Sequence, residues 1–148
     1  MNRKDIDILV VDDDDDDAAL TLRALDELAL GRRAHRARDG EEALDLLFGA
    51  ESPSCAPKLI LLDMRMPRVD GLEVLAALRK DPRTKAVPVV ILTSSNRAED
   101  VARCYELGAN SYIVKPAGFE EYSAAVVGAG SYWLTWNRSV ETPLIREA

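Results

Sequence analysis

Cysteine is scarce. The 148 residues hold two, Cys55 and Cys104, far apart and in no metal-ligand or redox spacing. That excludes a disulfide framework and a thiol centre, and marks them as free thiols of a reducing compartment. There is no basic excess either. The 19 Lys and Arg face 26 Asp and Glu, for a net charge of -7, so no basic patch can displace counterions from a nucleic acid. No apolar run approaches the length of a membrane span. The first seven residues are polar and charged, without the apolar centre of a signal peptide. A cytoplasmic location is therefore expected. Internal repeats, low-complexity tracts and dividing linkers are also missing. With 47% apolar and 30% charged residues, the chain has enough material for one core in one domain.

What is present is a strict alternation of strand-like and helix-like segments. Short runs at 6–11, 33–37, 58–62, 87–92 and 111–114 read as strands, the second being the weakest. Between them lie helical patterns. The first, 16–30, turns Ala19, Leu22, Leu25 and Leu28 inward and stops at Gly31. The second, 41–48, presents Ala43, Leu44, Leu47 and Phe48. The third, 70–80, is capped by Asp70 with Glu73 completing a capping box, and ends at Asp81-Pro82. The fourth, 96–107, takes Asn96 as its cap and closes at Gly108. The last runs over 118–136. Residues 49–57 and 64–69 are loops, and the polar tail is expected to be mobile. The pattern predicts an α/β domain over 1–137, with an extended last helix and a tail at 138–148. Its core is a doubly wound five-stranded parallel sheet flanked by five helices.

The chemistry sits where the strands end. Asp12 and Asp13 follow the first, Asp63 the third and Thr93 the fourth, while Lys115 and Pro116 follow the fifth. In an open parallel sheet the carboxyl ends share one edge, and ligands bind there. Clustered carboxylates repel unless a cation neutralises them. With an ammonium and a hydroxyl beside them, they suit a divalent metal and a phosphoryl group. Asp14, Asp15, Asp16 and Asp17 continue the acidic run. They read as a charged loop that caps the first helix, where negative charge suits the dipole, or else as an enlarged acidic rim that raises metal affinity.

In order and spacing these segments resemble a known family. Ile8-Leu9-Val10-Val11-Asp12-Asp13 is similar to the first strand of a two-component response regulator receiver domain. Leu62-Asp63-Met64-Arg65-Met66-Pro67-Arg68-Val69-Asp70-Gly71 is similar to its phosphoacceptor segment. Ile91-Leu92-Thr93-Ser94 and Tyr112-Ile113-Val114-Lys115-Pro116 are similar to its switch and lysine segments. The resemblance implies a flavodoxin-like receiver fold in which Asp63 accepts a phosphoryl group. Asp13 would ligate Mg2+ or Mn2+ directly and Asp12 would help through water; Asp63 and the Arg65 backbone carbonyl would complete the set. Thr93 would bond the phosphoryl group, Lys115 would pair with its oxygens, and Tyr112 would be the aromatic rotamer switch. The Lys115–Pro116 peptide bond would be cis. The role implied is signalling rather than enzymatic, with a phosphohistidine on a sensor histidine kinase as donor. Arg65 and Ser94 are expected to set the phosphate lifetime, Arg65 by touching the phosphoryl group or obstructing water.

The last helix carries Phe119, Tyr122, Val126, Ala129, Trp133 and Trp136 at alternating spacings of 3 and 4, a heptad-like seam. The stripe either packs on the sheet or forms an interface, which the cluster of Tyr132, Trp133 and Trp136 favours. Gly128 and Gly130 would permit close helix approach. The Tyr-Trp-Leu-Thr-Trp ending resembles regulators that partner bacterial phytochromes, so a homodimer through the last strand and its neighbouring helices is expected. Too few residues follow Trp136 for a DNA-binding or enzymatic output domain. Output is expected by contact with a downstream protein or phosphotransfer partner, with no nucleic acid and no membrane. His35 sits in a short basic segment, where surface or structural use is expected, and Met64 and Met66 read as loop packing. Three rivals stay open. A haloacid-dehalogenase-like phosphohydrolase fits poorly, because Asp12-Asp13-Asp14-Asp15 lacks its Asp-x-Asp-(Thr/Val) pattern and there is no cap domain. A flavodoxin-like cofactor binder would need a glycine- or hydroxyl-rich loop in place of the acidic run. The third is a phosphorylation-independent docking module of the same fold.

Overall fold

Five parallel strands form the middle layer of the computed structural model, which describes residues 6–28 and 33–144. They are β1 (Ile8–Val11), β2 (Ala34–Ala37), β3 (Leu59–Leu62), β4 (Val89–Thr93) and β5 (Ser111–Val114), in the order β2-β1-β3-β4-β5. The helices are α1 (Asp15–Asp26), α2 (Gly40–Phe48), α3 (Gly71–Lys80), α4 (Ala98–Glu106) and α5 (Phe119–Ser131). A doubly wound five-stranded sheet with five helices is the expected architecture.

Strand periodicity sorts the core into two layers. Ile8, Val10, Leu59, Leu61, Val90 and Leu92 point to one face, under Ala24 and Leu25 of α1 and Tyr122 and Val126 of α5. Leu9, Val11, Ile60, Leu62, Val89 and Ile91 point to the other, under α2, α3 and Cys104 of α4. Every residue of β1, β3 and β4 is buried, which is why these strands read as continuous apolar runs. Strand order reverses between β1 and β3, which opens the crevice at the carboxyl edge.

Several boundaries differ from expectation. Ala19 is exposed, and the inward face of α1 is Ala18, Thr21, Ala24 and Leu25. The inward Thr21 is accommodated because its hydroxyl bonds Asp17 O at 3.0 Å and Tyr122 Oη at 2.9 Å. The expected stop at Gly31 lies outside the described residues. Asp70 caps α3 and forms the capping box with Glu73. Asn96 does not cap α4. Arg97 holds that position without a side-chain bond, while Ser95 Oγ accepts from Arg97 N at 3.4 Å and bonds Asp100 Oδ2 in the first turn at 2.5 Å. Beyond Ser131 the last helix widens into a π-helical turn, Tyr132–Trp136. A Cβ on Gly130 would come within 2.8 Å of Leu28 Cδ1, so this glycine permits the close seating of α5 on α1, whereas one on Gly128 would meet nothing.

The described part of the tail is docked rather than mobile. Pro143 forms an antiparallel bridge with Cys55. Ala56 N donates to Thr142 O and Leu144 N to Ser54 O, both at 3.0 Å. Leu144 is 1% exposed within the core layer that holds α2 and α3, and its carbonyl accepts from Arg83 Nη1 at 3.2 Å. A polar composition conceals such a strap, because backbone pairing and one buried leucine hold it.

Candidate functional site

The carboxyl edge of the sheet forms an open pocket of about 700 Å³. Asp13, Asp14, Asp17, Asp63, Arg65, Thr93, Ser94 and Lys115 are among the residues that line it. The ladder sets the positions. Asp63 N donates to Val11 O at 2.9 Å and Asp12 N to Ala37 O at 3.2 Å, so Asp12 and Asp63 end neighbouring strands side by side. Arg36 fixes the first turn, donating to Asp12 O through Nε at 3.1 Å and Nη2 at 2.9 Å and pairing with Asp15 at 2.7 Å. Gly71 lets α3 start directly against the end of β3, since a Cβ there would lie 2.2 Å from Asp63 O.

Carboxylate oxygens of Asp12, Asp13 and Asp63 all lie within 4.8 Å of one another. Asp12 and Asp63 are buried and Asp13 is exposed. Such a set of hard oxygen donors fits Mg2+ or Mn2+ and not a softer metal. Lys115 Nζ lies 2.9 Å from Asp12 Oδ2, 2.8 Å from Asp17 Oδ2 and 3.2 Å from Asp63 Oδ2. Burial pushes the Asp12 carboxyl up to about 6, opposed by its hydrogen bonds from Lys115 and Asp14 N. Burial works against the charged form of Lys115 too, but hydrogen bonds to Asp17 and Asp12 and the charge of Asp63 outweigh it and hold the ammonium above the ordinary lysine range. Thr93 is 2% exposed, and its hydroxyl makes no hydrogen bond among the described residues.

Lys115 N donates to Thr93 O at 2.7 Å, which seats the end of β5 against β4. The expected cis bond before Pro116 is not found: the described residues contain no cis peptide. Trans is the ordinary preference of an X–Pro bond, and Lys115 reaches its three carboxylates from it. Arg65 donates through its backbone N to Asp63 Oδ1 at 3.3 Å, but its guanidinium pairs with Asp100 Oδ2 at 3.1 Å on α4. The Tyr112 ring is half-buried, with its hydroxyl donating to Ser95 O at 2.9 Å. Burial raises the Tyr112 phenol, and burial followed by the charge of Asp100 raises the Cys104 thiol. His35 lies exposed on β2, away from the pocket, while Met64 and Met66 are buried in the core.

Asp17, Arg36, Ser95 and Asp100 are contributors that sequence reasoning did not single out. The spacing of Asp13 and Asp17 held a signal, because a residue one helical turn further on returns to the same edge.

The response regulator receiver domain pattern matches residues 8–127. The chain is 42% identical to the probable methanogenesis regulatory protein FilR2 of Methanothrix harundinacea, over 89% of this chain and 86% of that protein. Response regulator Rcp1 of Synechocystis is 37% identical over 86% of this chain and 88% of its own. The crystal structure of the Mn2+-bound form of Rcp1 superposes with a TM-score of 0.83 at 35% identity, covering 90% of this chain and 97% of that one. The phosphorylated cyanobacterial phytochrome response regulator RcpA superposes at 0.82 with 34% identity, covering 89% and 96%. Strand order, acidic pocket and these likenesses agree: the chain belongs to the response regulator receiver domain family.

Proposed function

We propose that this receiver accepts a phosphoryl group on Asp63 from a sensor histidine kinase and thereby changes a protein-binding surface. The observation that carries the reading is the Lys115 ammonium 3.2 Å from the Asp63 carboxylate, with Asp12 and Asp13 beside it. An Asp63 oxygen attacks the phosphorus of a phosphohistidine. The P–O bond forms as the P–N bond breaks, and the imidazole leaves with the electron pair and picks up a proton. Mg2+ or Mn2+ would be held by Asp12, Asp13, Asp63 and the Arg65 backbone carbonyl, and supplies neutralising charge when bound. Lys115 pairs with the phosphoryl oxygens, and the Thr93 hydroxyl donates to one of them. That bond draws Thr93 toward Asp63, and the change reaches Tyr112 through the loop that carries Ser95, whose carbonyl holds the Tyr112 hydroxyl, while Pro116 fixes the turn after Lys115. Water then attacks the phosphorus, and Asp63 and inorganic phosphate are released.

The likeness to the phytochrome response regulator RcpA supports a phytochrome as the kinase, and membership of the receiver family supports the cytoplasm as the compartment. Among the described residues no helix is long and apolar enough to cross a membrane. Val114, Phe119, Tyr132 and Trp136 are exposed, which supports a homodimer through β5 and the last helices and contact there with a downstream protein.

A small phosphodonor such as acetyl phosphate tests the reading. With Mg2+ the intact mass is expected to rise by one phosphoryl group, with chelator it is not, and sizing reports a dimer in the same sample. No gain in a folded, metal-binding protein would favour the docking module. The buried Asp12 gives a second expectation. A proton competes with the cation for its carboxylate, so lowering pH through about 6 weakens metal binding. Mn2+ affinity by calorimetry is expected to fall about tenfold from pH 7.5 to pH 5, the ratio for one competing proton. A flat profile would rule out Asp12 as the competing group.

A further inference from the structure

Three carboxylates hold Lys115, and one of them lies outside the cation cluster. Asp12 and Asp63 belong both to the lysine contacts and to the set Asp12, Asp13 and Asp63, so a divalent cation competes with Lys115 for them. Asp17 belongs only to the lysine, at 2.8 Å, the shortest of the three contacts. An ammonium has three donors, and here each meets a carboxylate. The Lys115 side chain is 6% exposed, so water is poorly placed to replace a lost partner.

Asp17 is also firmly mounted. It stands in the first turn of α1, where its N–H donates to the capping Asp14 at 3.0 Å. Its carbonyl accepts from Thr21 Oγ1 at 3.0 Å and from the buried Tyr122 hydroxyl of α5 at 3.4 Å. Its carboxylate thus presents a fixed charge to the pocket. Even with a divalent cation bound, Asp12, Asp13, Asp17 and Asp63 exceed that cation and Lys115 by one negative charge, next to where a phosphoryl dianion has to sit. With a neutral residue at 17, Asp12, Asp13 and Asp63 are balanced by Lys115 and the cation.

We infer that Asp17 is a positioning residue that draws Lys115 back from Asp63 and competes with a phosphoryl group for the ammonium, and so limits how tightly the site holds that group. The inference rests on the phosphoacceptor reading of Asp63. It assigns Asp17 a task opposite to that of the metal-binding carboxylates: they attract the cation that phosphoryl uptake uses, whereas Asp17 works against the product.

The test uses the whole chain with Mg2+ and beryllofluoride, a non-transferable mimic of a phosphoryl group, read by fluorine NMR. Mn2+ affinity and thermal midpoint are measured alongside. Asp17→Asn and Asp17→Ser are expected to bind beryllofluoride about tenfold more tightly, the equivalent of freeing one charge-assisted hydrogen bond. Mn2+ affinity is expected to stay the same or weaken slightly, as removal of a negative charge requires. A merely structural role would weaken both ligands together. Asp17→Glu keeps the charge and is expected to return beryllofluoride affinity to near the wild-type value. Unchanged or weaker beryllofluoride binding in folded Asp17→Asn and Asp17→Ser, beside normal binding in wild type, would overturn the assignment of Asp17 alone. Wild type that binds neither beryllofluoride nor a phosphoryl group would overturn the phosphoacceptor reading and this inference with it.

Discussion

Lys115→Met is expected to destabilise the fold by about 2–4 kcal/mol at pH 7.5 without divalent cations, because it leaves desolvated carboxylates unpaired. In wild type the ammonium touches Asp12, Asp17 and Asp63, of which the side chains of Asp12 and Asp63 are 4% and 10% exposed. Removing one member of a buried ion pair costs about 3–5 kcal/mol; the lower figure here allows for the partly exposed Asp17 and the open mouth of the pocket. For a chain of this size the thermal midpoint falls by roughly 5–12 °C. Two signatures separate this cause from general damage. Mg2+ restores part of the loss, because it neutralises the carboxylates that Lys115 leaves. Lowering pH also narrows the gap between variant and wild type. Asp12 already titrates at about 6, and without Lys115 it takes up its proton at still higher pH, which relieves the repulsion. Wild-type stability in Lys115→Met without cations would refute this assignment.

Leu144→Ala is expected to lose about 2–4 kcal/mol, the usual cost of truncating a leucine in a core that relaxes only partly. Leu144 is 1% exposed, and its backbone pairs with the 49–57 loop through Ser54. Urea midpoints give the stability change. Alkylation of Cys55 gives its location, because Cys55 bridges Pro143 and a loosened strap uncovers it. Cys104, buried and with its thiol raised, stays unreactive until global unfolding. A loss under about 0.5 kcal/mol, the range of surface substitutions, would mean that the strap is not held by Leu144.

The layers of this fold are legible in the sequence because β1, β3 and β4 are buried on both faces and carry unbroken apolar runs. β2 is harder to read because it is an edge strand that exposes Ala34 and His35, so little in its composition reports burial. The pocket's make-up is legible for a topological reason: parallel strands deliver their last residues to one edge, and Asp12, Asp13, Asp63, Thr93 and Lys115 all stand there. What each side chain touches is less legible. The acidic run looks uniform, yet Asp14 caps α1, Asp15 pairs with Arg36, Asp16 is exposed and Asp17 reaches Lys115. Only the helical turn separates these fates. Arg65 follows the same rule: its place two residues after Asp63 suggests contact with the site, but Asp100 of α4, thirty-five residues on, takes its guanidinium. The docking of the tail is not legible, because a strap held by main-chain hydrogen bonds leaves no apolar periodicity.

Reductive trapping on wild type tests the phosphoacceptor reading most directly. After acetyl phosphate and Mg2+, borohydride converts an aspartyl phosphate to homoserine, which peptide mass mapping locates. The expected result is homoserine at Asp63 alone, Mg2+-dependent and absent from Asp63→Asn. Modification at another carboxylate, or none in a folded protein that binds Mn2+, would contradict it.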